Sequence, residues 1–111
     1  MPPSAPRSIP QGTLDLLVLR TLDEGPSHGY AIARRIEETT DDALRIEEGS
    51  LYPALHRIER QGWIKATWSR SGLGKDVKTY ALTARGRTEL ARRTEDWRSL
   101  TAAVGKVLRM S

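Results

Sequence analysis

The chain contains no cysteine, which excludes disulfides and thiolate-held metal sites and fits a reducing compartment. No run is apolar enough to span a bilayer. Residues 1–10 are rich in proline and serine and have no apolar h-region, so they do not read as a secretory signal. The expected compartment is the cytoplasm, with no membrane partner. No Gly-rich phosphate loop opens a helix, and no Ser/His/Asp set has a supporting context. The acidic pairs Asp41-Asp42 and Glu47-Glu48 are adjacent, and adjacent residues do not converge on one site in a helix or a strand. His28 and His56 have nothing nearby to complete a ligand set. Catalysis, a metal and a cofactor are therefore not expected. Internal repeats are also absent.

What is present is a chain of 111 residues, enough for one small domain with one core. Its net charge of +4 is unevenly spread. Residues 1–48 hold five Lys/Arg and nine Asp/Glu, a balance of −4, whereas residues 49–111 hold thirteen and five, a balance of +8. Such asymmetry favours a polyanionic partner, although an Arg-rich helix with a solvated face gives the same signature.

Residues 1–10 read as a flexible arm ending at Ile9-Pro10, with Arg7 as a phosphate or subunit contact if the arm is used. Gly12–Glu24 reads as a first helix with Leu14, Leu17, Val18, Thr21 and Leu22 on one stripe and Asp15 near its start, where the helix dipole favours it. Gly25-Pro26 stops it. Ser27 is placed to cap a second helix running to about Glu38, with Tyr30, Ala33 and Ile36, or Ile32 and Ile36, inward and Arg34 and Arg35 outward. Gly29 permits a close approach. Thr39–Glu48 is a polar connection in which Leu44 and Ile46 alternate.

Glu48–Trp63 is the stretch around which the rest of the chain is organised. Leu51, Leu55 and Ile58 share a buried face at i, i+4, i+7. Pro53, His56, Arg57 and Arg60 collect on the other face, with Ser50 at its margin. Pro53 is expected in the first turn, where a missing N–H costs least, and Gly62 at the left-handed stop. Trp63–Ser71 alternates Ile64, Ala66 and Trp68 against Lys65, Thr67 and Ser69 as a half-buried strand. A loop at 71–76 and a strand Val77–Leu82 complete a hairpin with Arg70, Lys75 and Lys78 near its tip. Trp63, Trp68 and Tyr30 are expected in hairpin or core packing.

Thr83 caps a last helix from Ala84 to about Leu108, roughly 40 Å long at 1.5 Å per residue. Leu90, Trp97 and Val104 recur every seven residues, and Leu100, Val107 and Leu108 fill between them, with Arg93 interrupting. A seven-residue apolar seam on a projecting helix needs a partner, and a second copy of the chain supplies one directly.

The expected fold is mostly α with a small β-hairpin: a winged helix-turn-helix domain at 11–82 after the arm, then a dimerisation helix at 83–111. In that architecture the third helix enters the major groove and the hairpin lies along the backbone or minor groove. Arg57 would pair with a guanine edge, and Ser50 or His56 with a base or phosphate. Tyr52 either packs at the helix rim or reaches a phosphate through its hydroxyl, and His28 either packs, caps or meets a phosphate. Winged helices also serve as protein–protein modules, which is the competing class.

Four blocks carry a resemblance. They are Gly12-Thr13-Leu14-Asp15-Leu16-Leu17-Val18-Leu19, Gly25-Pro26-Ser27-His28-Gly29-Tyr30-Ala31-Ile32, Glu48-Gly49-Ser50-Leu51-Tyr52-Pro53-Ala54-Leu55-His56-Arg57-Ile58-Glu59 and Tyr80-Ala81-Leu82-Thr83-Ala84-Arg85-Gly86. In this order the chain resembles the PadR-like transcriptional regulators, in the short branch with a single C-terminal helix. The resemblance implies a dimeric repressor on double-stranded DNA with a pseudo-palindromic operator. It also implies, for some members, a pocket for flat aromatic ligands at the dimer interface beside a tryptophan, here Trp97. The expected DNA contacts are Ser50, Tyr52, Pro53, His56, Arg57, Arg60, Arg70, Lys75, Lys78 and His28. The expected interface or ligand residues are Leu14, Leu90, Trp97, Leu100, Val104, Val107 and Leu108. The loop Ser71-Gly72-Leu73-Gly74-Lys75-Asp76 has fewer charges than the wings of many relatives, and Ser27 stands where relatives usually have an apolar residue.

Overall fold

The structure, a computed structural model, describes residues 9–70 and 72–109. Residues 1–8 of the arm, with Arg7, and Ser71 of the hairpin loop lie outside the described residues. The order is α1 (Gln11–Asp23), α2 (Gly29–Thr39), α3 (Glu48–Arg60), β1 (Ile64–Arg70), β2 (Asp76–Leu82) and α4 (Ala84–Leu108). This is the winged helix-turn-helix arrangement with a long C-terminal helix. Among the described residues no helix is long and apolar enough to cross a membrane.

The core forms where α1, α2 and α3 meet the root of the hairpin. Val18, Leu19, Ile32, Leu51, Leu55, Ile58 and Ile64 are its largest fully buried side chains. Ile9 packs against this core from the chain's start. The inward face of α2 is Ile32, Ala33 and Ile36, whereas Tyr30 is 66% exposed and is not a core residue. Position 30 follows the first residue of α2 and points away from the Ile32–Ile36 stripe.

Ser27 does not cap α2. His28 occupies the N-cap with no side-chain bond, and Ser27 forms an isolated antiparallel bridge to Tyr80. The Ser27 N–H donates to the Tyr80 carbonyl at 3.0 Å, and the Tyr80 N–H donates to the Ser27 carbonyl at 2.8 Å. Backbone pairing to β2 thus outcompetes the local cap and ties the hairpin to the α1–α2 connection.

The end of α3 follows the expected chemistry. Gly62 has φ +78°, its N–H donates to the Glu59 carbonyl at 2.9 Å, and the Trp63 N–H reaches back to the Ile58 carbonyl at 3.3 Å. Those two bonds make a Schellman stop. Pro53, however, is the sixth residue of α3 and not in its first turn. It offers no N–H to the Gly49 carbonyl, so that acceptor gets no donor from the position that normally supplies one.

The hairpin pairs Ile64 with Leu82, Ala66 with Tyr80, Trp68 with Lys78 and Arg70 with Asp76. One face therefore carries Ile64, Ala66 and Trp68 towards the core side, in the alternation read from the sequence. Trp68 lies past the edge of the core and is 64% exposed, so it is a wing residue and not a packed one. Thr83 caps α4 as expected: its Oγ1 accepts from the Gly86 N–H at 3.0 Å and donates to the Gly62 carbonyl at 2.6 Å. Gly86 is required by packing, because a Cβ there would overlap the Trp63 carbonyl oxygen and come within 2.7 Å of Leu82 Cδ1.

α4 then leaves the domain. Only Gly86 and Leu90 on it are buried, and the molecule extends 54 Å along its longest axis but 21 Å along its shortest. Arg93 breaks the seam for a structural reason. Its guanidinium sits 5.0 Å from the centre of the Trp63 ring, its Nε donates to Glu89 at 2.6 Å, and its terminal nitrogen reaches the Gly12 carbonyl at 3.5 Å. Arg92 and Arg93 together hold the Glu89 carboxyl below the usual carboxylate range, with the Arg92 hydrogen bond the largest cause and burial opposing it.

Candidate nucleic-acid interface

On α3, Gly49, Pro53, His56 and Arg60 follow one another at i, i+4, i+7 and i+11 and form a single crest. All four are exposed. Leu51, Ala54, Leu55 and Ile58 are buried on the opposite face. The buried stripe fixes the roll of the helix, and the roll presents the crest. Two flanks descend from it.

On one flank the Tyr52 ring lies over Gly29 at the start of α2. A Cβ at residue 29 would stand 3.1 Å from Tyr52 Cε1 and 3.2 Å from its hydroxyl. The glycine thus admits the ring, and Tyr52, 44% exposed, packs at the rim between the two helices. His28 is exposed just before it and starts α2 through its carbonyl, which accepts from the Ile32 N–H at 3.1 Å.

Glu59 lies on the same side and faces the hairpin. Lys78 Nζ is 3.9 Å from Glu59 Oε1, 5.6 Å from the Trp68 ring centre and 5.3 Å from that of Tyr80. Lys78 is therefore not at the tip of the wing. It is a half-buried cation at the junction of wing and α3, held by a carboxylate and two aromatic faces. Arg70 and Lys75 lie farther out and are exposed, with Arg70 Nε at 4.0 Å from Asp76.

The other flank, Ser50 and Arg57, faces α1. Ser50 is exposed. Arg57, expected at a guanine edge, is held against α1. Its terminal nitrogen is 2.6 Å from Asp15 Oδ1 and its Nε 3.3 Å from Asp15 Oδ2. Asp15 itself is 5% exposed and belongs to the second turn of α1, not to the dipole-favoured first turn. The signal for this pair was present in the sequence: Asp15 stands inside the run Leu14-Asp15-Leu16-Leu17-Val18-Leu19, and a carboxylate among core positions requires a cationic partner. Sequence reasoning also passed over Arg45, an exposed cation shortly before α3, and Lys65 on the outer side of β1.

The expected interface residues divide in two. Leu14 and Leu90 are buried in the domain's own core and present nothing to a partner. Trp97, Leu100, Val104, Val107 and Leu108 are all exposed on α4. An apolar groove lined by Thr13, Leu16, Leu17, Leu44 and Trp97 runs between α1 and α4. Among the described residues, no group of three or more His, Cys, Asp or Glu could hold a metal ion.

Known proteins share this arrangement. Residues 18–92 match the family model described as the transcriptional regulator PadR-like family. The matched segment ends before Trp97. A transcriptional regulator of Mycobacterium tuberculosis is 30% identical over 102 residues, which span 92% of this chain and 89% of that one. Two other curated relatives are longer, and the chain spans 40% and 24% of their lengths. A transcriptional regulator from Clostridium thermocellum superposes with a TM-score of 0.81 at 31% identity, covering 86% of this chain and 93% of that one. A PadR family regulator from Eggerthella lenta gives 0.76 at 36% identity, covering 91% and 86%. The chain belongs to the PadR-like family of transcriptional regulators.

Proposed function

We propose that the chain is a sequence-specific DNA-binding repressor that acts as a homodimer on a pseudo-palindromic operator. α3 enters the major groove with Pro53, His56 and Arg60 towards the base edges and Ser50 at the margin. Arg70 and Lys75 of the wing, with Arg45 and His28, meet phosphates. The observation that carries this reading is the exposed crest Gly49–Pro53–His56–Arg60 beside a cationic hairpin, in a chain of this family. The crest has hydrogen-bonding and guanidinium groups but no large apolar side chain, which suits a polar groove better than a protein surface.

Two copies joined along Trp97, Leu100, Val104, Val107 and Leu108 would set the two α3 helices about one DNA turn apart, roughly 34 Å. A small flat ligand in the groove beside Trp97 would change that spacing and release the operator. Selection from a random duplex library tests the reading. It is expected to enrich an inverted repeat with half-site centres about 10 bp apart, bound with an affinity that falls steeply with salt. Recovery of unrelated sequences with equal affinity rules out the sequence-specific part.

A further inference from the structure

Asp15 is the one charged residue in the core among the described residues, and it lies outside the DNA-contacting set. Its partner Arg57 is 42 residues away in sequence and belongs to the reading helix. We infer that Asp15 and Arg57 are a positioning pair, which locks the roll of α3 against α1 and so sets the angle at which the crest meets DNA. This rests on the proposed DNA-binding function.

Several observations converge on the pair. The contact uses two nitrogens of the guanidinium on two oxygens of the carboxylate, at 2.6 and 3.3 Å. Such a two-point contact fixes orientation as well as distance. A lysine would supply the charge but not the fork. Arg57 leaves α3 on the Ser50 side, so its guanidinium is drawn down towards α1 and away from the crest. Were it to swing out to a base or phosphate, the Asp15 carboxylate would remain buried without a cation, which is a costly state. The pair is therefore expected to persist in the DNA complex.

Its position also links two regions. Asp15 faces α3, while Thr13, Leu16 and Leu17 of the same helix line the groove shared with Trp97. The carboxylate that holds Arg57 and the residues that line the groove thus sit on one helix.

The test compares Asp15→Asn, Arg57→Gln, the double variant and Arg57→Lys with the unaltered chain. Binding is measured to the duplex recovered by library selection and to a shuffled duplex, at several salt concentrations and well below each melting midpoint. A positioning pair predicts that both single variants lose operator affinity by a similar factor, on the order of tenfold, as for one misaligned base contact. The double variant should be no worse than either single one. The slope of log affinity against log salt should stay unchanged, because no phosphate contact is removed. Arg57→Lys should lose affinity despite keeping its charge, and it carries the test alone if Asp15→Asn does not fold.

The inference is overturned if Arg57→Gln flattens the salt slope by about one phosphate contact while Asp15→Asn tightens binding, since Arg57 would then be a DNA contact that Asp15 holds back. Folded variants that bind like the unaltered chain also overturn it. If the unaltered chain itself fails to distinguish the selected duplex from the shuffled one, the DNA-binding reading fails instead.

Discussion

Replacing Arg57 with alanine is expected to lower the free energy of unfolding by about 2–3 kcal/mol, discounted from the roughly 3–5 kcal/mol for breaking a fully buried ion pair. The side-chain exposures of 33% for Arg57 and 7% for Asp15 set this figure. Water reaches part of the arginine site and recovers some of the loss, but it barely reaches the carboxylate. Against a typical domain stability of about 5–15 kcal/mol the effect is large. The two halves of the pair are not equivalent. Asp15→Asn should cost less than Arg57→Ala, because a released Arg57 can extend its head group into solvent, whereas a released Asp15 is trapped in the core. The double replacement Asp15→Leu with Arg57→Met should recover most of the stability, because it removes the need for pairing altogether. Urea unfolding read by linear extrapolation measures all three. A loss below about 0.5 kcal/mol for Arg57→Ala would place the pair among ordinary surface bridges.

Replacing Val104 with glutamate is expected to convert the proposed dimer into a monomer. On α4, Leu100 is 57% exposed, Val104 45%, Val107 80% and Leu108 62%. A run of apolar side chains of this extent on a single helix marks an interaction surface. A two-fold seam along these residues would bury both copies of residue 104, so each interface would desolvate two like charges. Sedimentation should show the unaltered chain at twice its 12.4 kDa mass and the variant at the single mass. Operator affinity should fall by about 10²–10⁴, because one half-site no longer holds the second reading head near its target. The thermal midpoint of the domain itself should change little, since residue 104 lies outside the core cluster. An unaltered chain that sediments as a monomer while binding the whole operator would remove the seam from the mechanism.

Features controlled by local chemistry were legible in the sequence. The Gly62 stop, the Thr83 cap and the alternation of β1 depend on one or two neighbouring residues, and each stands where its residue type requires. The buried stripe of α3 was equally plain, because helical spacing dictates it. Features decided by a distant partner were not. Ser27 has the chemistry of a cap, but Tyr80, far along the chain, offers it a backbone bridge. Pro53 was expected in the first turn, yet the helix begins early enough to place it in the second. Leu14 belongs to the same apolar stripe whether that stripe meets its own core or a second copy, and only packing decides. Arg57 shows the limit most directly. Its position on the polar side of α3 suggested a base reader, and spacing along α3 could not reveal the carboxylate on α1 that holds its guanidinium. The crest that remains, Pro53, His56 and Arg60, is narrower than the face read from spacing alone.

The most direct measurement of that crest is the ratio of affinities for the selected duplex and a shuffled one, determined by fluorescence anisotropy for a His56→Ala/Arg60→Ala double variant. Both side chains are exposed and have no ion-pair partner among the described residues, so the fold should be unaffected. A reading role predicts that the ratio falls by about 10–100-fold, the cost of roughly one to two lost base contacts. A ratio equal to that of the unaltered chain would contradict it and return the face of α3 to a solvated surface.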